Sequence, residues 1–167
     1  MDTKRPSFII STSDVHEGPL GRYPNSDEDL SSGRNIGKVA GLLRIGLHIE
    51  RLLPGHRTSF PHAEEDEEEF VFVLEGEVDA WVDGHLYPMA SGDLAAFPAG
   101  TGIAHTILNN GEKEAILLVG GERSKAWSRI IYPKNPERRD DLPWSAWWEL
   151  APKRDLGPHD GRPRSKR

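Results

Sequence analysis

Residues 55–76 read GHRTSFPHAEEDEEEFVFVLEG, and the alternation within this stretch decides the fold. Its second half, Phe70-Val71-Phe72-Val73-Leu74, is apolar on both faces and predicts a strand covered on both sides, by a second layer or by a partner subunit. Glu75-Gly76 ends that strand. In the first half, His62 and Glu64 stand two residues apart, so on an extended segment both side chains leave the same face. Glu69 has the wrong parity to join them on one unbroken strand. A turn through Glu65 to Glu68 restarts the register and returns Glu69 on the face of Val71 and Val73.

Outward from this stretch the punctuation remains that of short strands. Upstream, Leu43, Ile45, Leu47 and Ile49 alternate with Arg44, Gly46, His48 and Glu50, one face of a half-buried strand that Pro54-Gly55 closes. Downstream, Asp83-Gly84 and Asn110-Gly111 each lie between strand-like runs and predict hairpins, with a short strand at Leu94 to Phe97 and a Pro/Gly loop between them. About eight to ten short strands and no amphipathic helix predict an all-β sandwich or barrel. The composition agrees, with 17 Gly and 13 Pro. The chain of 167 residues suits one domain with extensions, divided as an N-terminal arm over 1–37, a barrel over 38–133 and a C-terminal extension with a basic tail over 134–167. The arm holds one strand-like fragment, Phe8-Ile9-Ile10. The tail from Pro152 carries six Lys/Arg against two Asp and reads as solvated and dispensable for folding.

Several function classes drop out at this level. A net charge of −6 excludes a general nucleic-acid binder, because neutralising phosphates needs surplus positive charge. The apolar run at Phe8 to Ile10 is far short of a signal-peptide core or a membrane span, so a cytoplasmic protein with no membrane partner is expected. With no Cys, any metal must sit on His and carboxylate ligands. His62, Glu64 and Glu69, joined by His105 just after the Pro98 to Gly102 loop, bring two imidazoles and two carboxylates from separate strands, a donor set for a divalent cation. The six adjacent carboxylates of Glu64 to Glu69 repel one another, and a bound cation would offset part of that repulsion. His16, His56, His85 and His159 read as surface or satisfied core residues, and His48 as either solvent-facing or pocket-lining. Trp144, Trp147 and Trp148 read as packing.

Taken in order, these residues resemble the two motifs of the cupin superfamily, G-x5-H-x-H-x(3 or 4)-E-x6-G followed by G-x5-P-x-G-x2-H-x3-N. The first is carried by Gly55, His62, Glu69 and Gly76, with Gly55 one residue further from His62 than the pattern asks. The second is carried by Gly92, Pro98, Gly100, His105 and Asn109, with four residues in place of two between Gly100 and His105. The likeness covers about residues 40–120. It implies a small jelly-roll barrel, the double-stranded β-helix, with irregular extensions, a pocket, and a metal held at His62, Glu69 and His105. Glu64 stands where the family's second His would be, which keeps a ligand but hardens the set toward iron(II), manganese or zinc. The reading is therefore a cupin that binds one divalent metal through His62, Glu64, Glu69 and His105 and takes a small organic molecule, as an oxygenase, isomerase or lyase. The alternatives are a non-catalytic sensor or storage module, and a metal-free, epimerase-like carbohydrate cupin with His62 as base. The apolar face of Phe70, Phe72 and Leu74 predicts cover by an extension or by a second subunit, with a homodimer as the expected state.

Overall fold

A computed structural model describes residues 5–164. Ten strands follow one another as β1 (Ser32–Arg34), β2 (Ile45–Leu52), β3 (Ala63–Glu64), β4 (Glu69–Glu75), β5 (Glu77–Val82), β6 (His85–Ala90), β7 (Leu94–Phe97), β8 (His105–Leu108), β9 (Ala115–Glu122) and β10 (Ile130–Ile131). One short helix, α1 (Ile36–Val39), separates β1 from β2. A five-stranded sheet in the order β1-β2-β9-β4-β7 faces a three-stranded sheet β6-β5-β8, and β10-β3 forms a short flap. All pairings within these sheets are antiparallel. This is the jelly-roll barrel expected from the sequence.

The core lies between the two larger sheets, where Leu52, Val71, Val73, Ala80, Ile107 and Leu117 are buried. Val71 and Val73 point inward with Glu69, as the restarted register requires, because the chain bends through Glu65-Asp66 before β4 begins. The turn at Asp83-Gly84 joins β5 to β6 with φ of 45° and 86°, the left-handed pair that a tight hairpin needs. Asn110-Gly111 does not make a hairpin. It links β8, which pairs with β5, to β9, which pairs with β2 and β4, so the connection crosses between sheets. The buried Asn109 side chain organises that crossing, donating to the carbonyls of Leu52 and Lys113 and accepting from Gly111 N–H. Phe8-Ile9-Ile10 lies in a turn and not in a strand.

Strand β2 has the alternation read from the sequence, and of the two settings open to His48 it takes the inward one. Its apolar residues Ile45, Leu47 and Ile49 lie on the outer face of the large sheet, while Glu50 and, by parity, His48 face the barrel interior. Phe70 and Phe72 of β4 share that outer face and are half-buried, whereas Ile45, Leu74 and Leu94 are exposed.

The extensions are parts of the folded body. Ser32 Oγ and the guanidinium groups of Arg34 and Arg51 all converge on Glu17, fixing the N-terminal segment to β1 and β2. The tail runs back over the outer face of the small sheet, correcting the expectation of a solvated end up to residue 164. Residues 165–167 lie outside the described residues. Trp81 on β5 is fully buried beside Trp148 and Leu156, and its indole N–H donates to the carbonyl of His159 at 3.0 Å. Gly157 and His159 donate backbone N–H groups to the Asp83 and Gly84 carbonyls. The approach is so close that a side chain at Gly84 would meet the Gly157 backbone at 2.4 Å.

Candidate metal centre

The two histidines are set side by side by backbone pairing. His62 and His105 exchange both N–H to carbonyl bonds, at 3.1 and 2.8 Å, and the ring centroids lie 4.7 Å apart. Each ring is then oriented from behind. His62 Nδ1 lies 2.9 Å from the Phe60 carbonyl and 3.3 Å from Ser59 Oγ, while His105 Nδ1 faces the Ile103 carbonyl at 3.4 Å. The Phe97 ring stacks on His105 with centroids 3.6 Å apart and planes 3° from parallel. A carbonyl only accepts, so Nδ1 carries the hydrogen toward it and both Nε2 atoms face forward, the arrangement metal-ligating histidines adopt once Nε2 has lost its proton.

Both Nε2 atoms converge on one oxygen, Glu69 Oε2, at 3.2 Å from His62 and 3.1 Å from His105. The ligand atoms of these three residues all lie within 4.8 Å of one another. Two lone pairs and an anionic oxygen aimed at one point repel unless something positive sits among them. In the metal-free chain a proton does that work. Burial opposes charge on His62, but the bond and charge of Glu69, with Glu64 and the Phe60 carbonyl adding, outweigh it and push its pKa up to about 9. His105 is pushed down by burial and by the neighbouring His62 charge, against the pull of Glu69. Burial would raise Glu69, yet the two imidazoles hold it well below the ordinary carboxylate range. Two nitrogens and one carboxylate oxygen, with orienting partners behind them, fit a divalent transition metal.

Of the four expected donors, the structure brings His62, Glu69 and His105 together, and Glu64 lies outside that convergent group. After His62 the chain leaves β8 and pairs with β10, Glu64 standing opposite Ile130. Glu64 remains close enough to feel the charges of Glu69 and His62, and its Oε2 is buried without a hydrogen-bond partner. Burial first, then the Glu69 charge and Glu67, push its pKa up to about 8. Elsewhere in the acidic run, Glu65 pairs with Arg129, and Glu67 is buried and accepts from Ser124 Oγ.

The three donors sit at one end of a cavity of about 140 Å³ that Glu50, Thr58, Ser59, Val71, Thr106 and Val119 also line. The hydroxyls of Thr58, Ser59 and Thr106 form a connected set on one wall. Glu50 and Thr106 were not singled out by the sequence reading. The signal for Glu50 was its shared parity with His48, opposite the apolar face of β2.

Comparison with known proteins gives four findings. A family model described as a cupin domain matches residues 48–121. A crystal structure described as a sugar phosphate isomerase from a cupin superfamily, from Silicibacter pomeroyi, is 31% identical, with 74% of this chain and 80% of that chain covered at a TM-score of 0.69. A candidate sugar phosphate isomerase from Acidithiobacillus ferrooxidans is 25% identical, with 77% and 83% covered at a TM-score of 0.68. Among curated proteins, the rhicadhesin receptor of Pisum sativum is 29% identical over 126 residues, and the match spans 57% of that protein's length. No helix among the described residues is long and apolar enough to cross a membrane.

Proposed function

This chain belongs to the cupin superfamily, and from that premise we propose that it is a divalent-metal-dependent isomerase acting on a phosphorylated sugar. The observation that carries the reading is the convergence of His62 Nε2, His105 Nε2 and Glu69 Oε2 on one point at the end of a small polar cavity. The substrate class is suggested by the two structural relatives described as sugar phosphate isomerases. His62, Glu69 and His105 would hold the metal, with Glu64 a fourth donor drawn in when its proton leaves. Once bound, the metal supplies Lewis acidity toward the carbonyl and neighbouring hydroxyl oxygens of a sugar. The chain itself positions the substrate. Thr58, Ser59 and Thr106 offer hydroxyls that both donate to and accept from sugar hydroxyls.

Isomerisation moves a proton between adjacent carbons, so the test follows that proton. Metal-replete protein incubated in D2O with aldose and ketose phosphates should interconvert them and place deuterium at the carbon next to the carbonyl, read by proton NMR. If no phosphosugar exchanges or converts while the metal is bound, the isomerase reading is wrong.

The apolar outer face of the large sheet bears on the assembly of this protein. Register puts Phe70, Phe72, Leu94, Leu118 and Ile49 on that one face, and a continuous apolar surface of this kind suits a self-complementary contact between two copies. Sedimentation at micromolar concentration should give a homodimer, and Leu94→Glu should shift it toward monomer. A monodisperse monomer of the native chain would remove this contact.

A further inference from the structure

We propose that Glu50 is the catalytic base and acid that carries the proton between the two substrate carbons, held in place from behind by Ser31 of the N-terminal segment. The inference rests on the isomerase reading and adds to it the residue that does the proton transfer. Among the residues lining the cavity, the carboxylates are Glu50 and Glu69. Glu69 is committed, since one of its oxygens faces both imidazoles. Glu50 is not, because its one side-chain bond is from Ser31 Oγ to Oε2 at 2.6 Å, which leaves Oε1 for the cavity. No Lys, Arg or His lies within ion-pairing distance of it among the described residues. A carboxylate enclosed without a cation partner is a place where a proton is easily taken and easily returned.

The surroundings favour that exchange near neutrality. Burial pushes the Glu50 pKa up to about 6, the Ser31 bond offsets part of the rise, and the negative charge of Glu69 adds to it. The titratable groups lining the cavity with Glu50 are Glu69 from β4, His105 from β8 and His62 beside it, and His48 shares the parity of Glu50 on β2, with Arg123 close enough to His48 for its charge to be felt there. A cation at the triad would neutralise the Glu69 contribution and lower the Glu50 value somewhat.

The step balances without any further reagent. Glu50 as carboxylate takes the proton from the carbon next to the carbonyl, and that C–H electron pair becomes the double bond of an enediolate, which carries the negative charge that Glu50 gives up. The carbonyl π pair moves onto its oxygen, which receives the proton released by the neighbouring hydroxyl. Glu50 then returns its proton to the former carbonyl carbon, and the carbonyl reappears on the neighbour.

The test uses Glu50→Gln in the full chain, with glucose 6-phosphate, fructose 6-phosphate, ribose 5-phosphate and ribulose 5-phosphate as probes. Native protein should show a protonated-carboxyl infrared band that titrates with a midpoint near pH 6 after metal is removed, at a lower pH with metal bound, and that is missing in the variant. The variant should keep native metal content yet lose about 10²- to 10⁴-fold of the deuterium exchange. Exchange retained within a few-fold, loss of metal from the variant, or absence of the band from native protein would each overturn the assignment. Native protein silent toward every probe would instead overturn the isomerase reading, and the assignment with it. Active native protein with an equally active variant overturns the assignment alone.

Discussion

Ending the chain after Ala151 should lower the melting temperature by about 10 °C or more, although the removed segment has only Leu156 as an apolar residue. What the segment contributes is mostly polar. Arg57, 1% exposed, donates through Nε and Nη2 to both carboxylate oxygens of Glu28 at 2.6 and 2.7 Å, and through Nη1 to the Gly161 carbonyl at 2.8 Å. One guanidinium thus ties the N-terminal segment, the barrel and the tail together. Removing the tail leaves that buried N–H without its acceptor, strips the acceptor from the Trp81 indole, and takes Arg154 from Asp83, a buried carboxylate whose other oxygen accepts from Ala104 N–H. Each buried donor or acceptor left unpaired costs about 1–3 kcal/mol. Uncovering the Trp81 and Trp148 faces adds to that. The sum, about 4 kcal/mol or more, is a large part of the stability of a domain this size. Thermal unfolding followed by circular dichroism of the full and shortened chains checks this, and a shift of only a few degrees would show that the tail's contacts carry little free energy.

The tail was misread from the sequence because composition reports side chains, whereas the segment docks through backbone groups. The donors and acceptors of Gly157, His159 and Gly161 leave no mark in hydropathy or charge. The parts that were legible are those whose signal is local. The doubly apolar run Phe70 to Leu74 gave β4, and the positive-φ requirement of Asp83-Gly84 gave the β5 to β6 hairpin. Asn110-Gly111 carries the same local signal but joins strands of different sheets, a distinction set by long-range pairing. For strand β2 the sequence gives the period but leaves open which face is inside, with His48 either solvent-facing or pocket-lining. Period-two alternation says that two faces differ, and assigning the apolar one to the core fails when the interior is a polar cavity and the exterior is apolar. Glu50 shares the parity of His48, and the same open choice left it without a role in the sequence. Of the candidate donors, His62, Glu69 and His105 come together as the motif spacing implies, whereas Glu64 lies outside that convergent group, a difference of side-chain placement that no spacing rule encodes.

His105→Ala should lower metal affinity by more than about 100-fold, since substitutions that merely disturb the orientation of a metal ligand already cost 10- to 100-fold. His62→Ala should do the same, because each removes one of the two nitrogens that flank Glu69 Oε2. The effect of pH has a definite sign. With no metal bound, His62 keeps its proton up to a pKa of about 9, so below that value a metal must displace a proton to bind. Affinity should therefore fall as pH is lowered, by about tenfold per unit for the one proton at His62, and should level off above pH 9. Glu64, with its pKa raised to about 8, would add a second released proton if it joins the metal and none if it stays outside the group of His62, Glu69 and His105. Glu64→Ala should accordingly weaken binding and reduce the pH slope below 8, whereas Glu64→His should retain metal with a changed preference among iron, manganese and zinc. Competition against a chromogenic chelator across pH 6 to 10, with elemental analysis of each variant, reads all of these. An unchanged affinity and slope in Glu64→Ala would restrict the site to three protein ligands, and metal content indifferent to both His62→Ala and His105→Ala would make the cavity a metal-free ligand site.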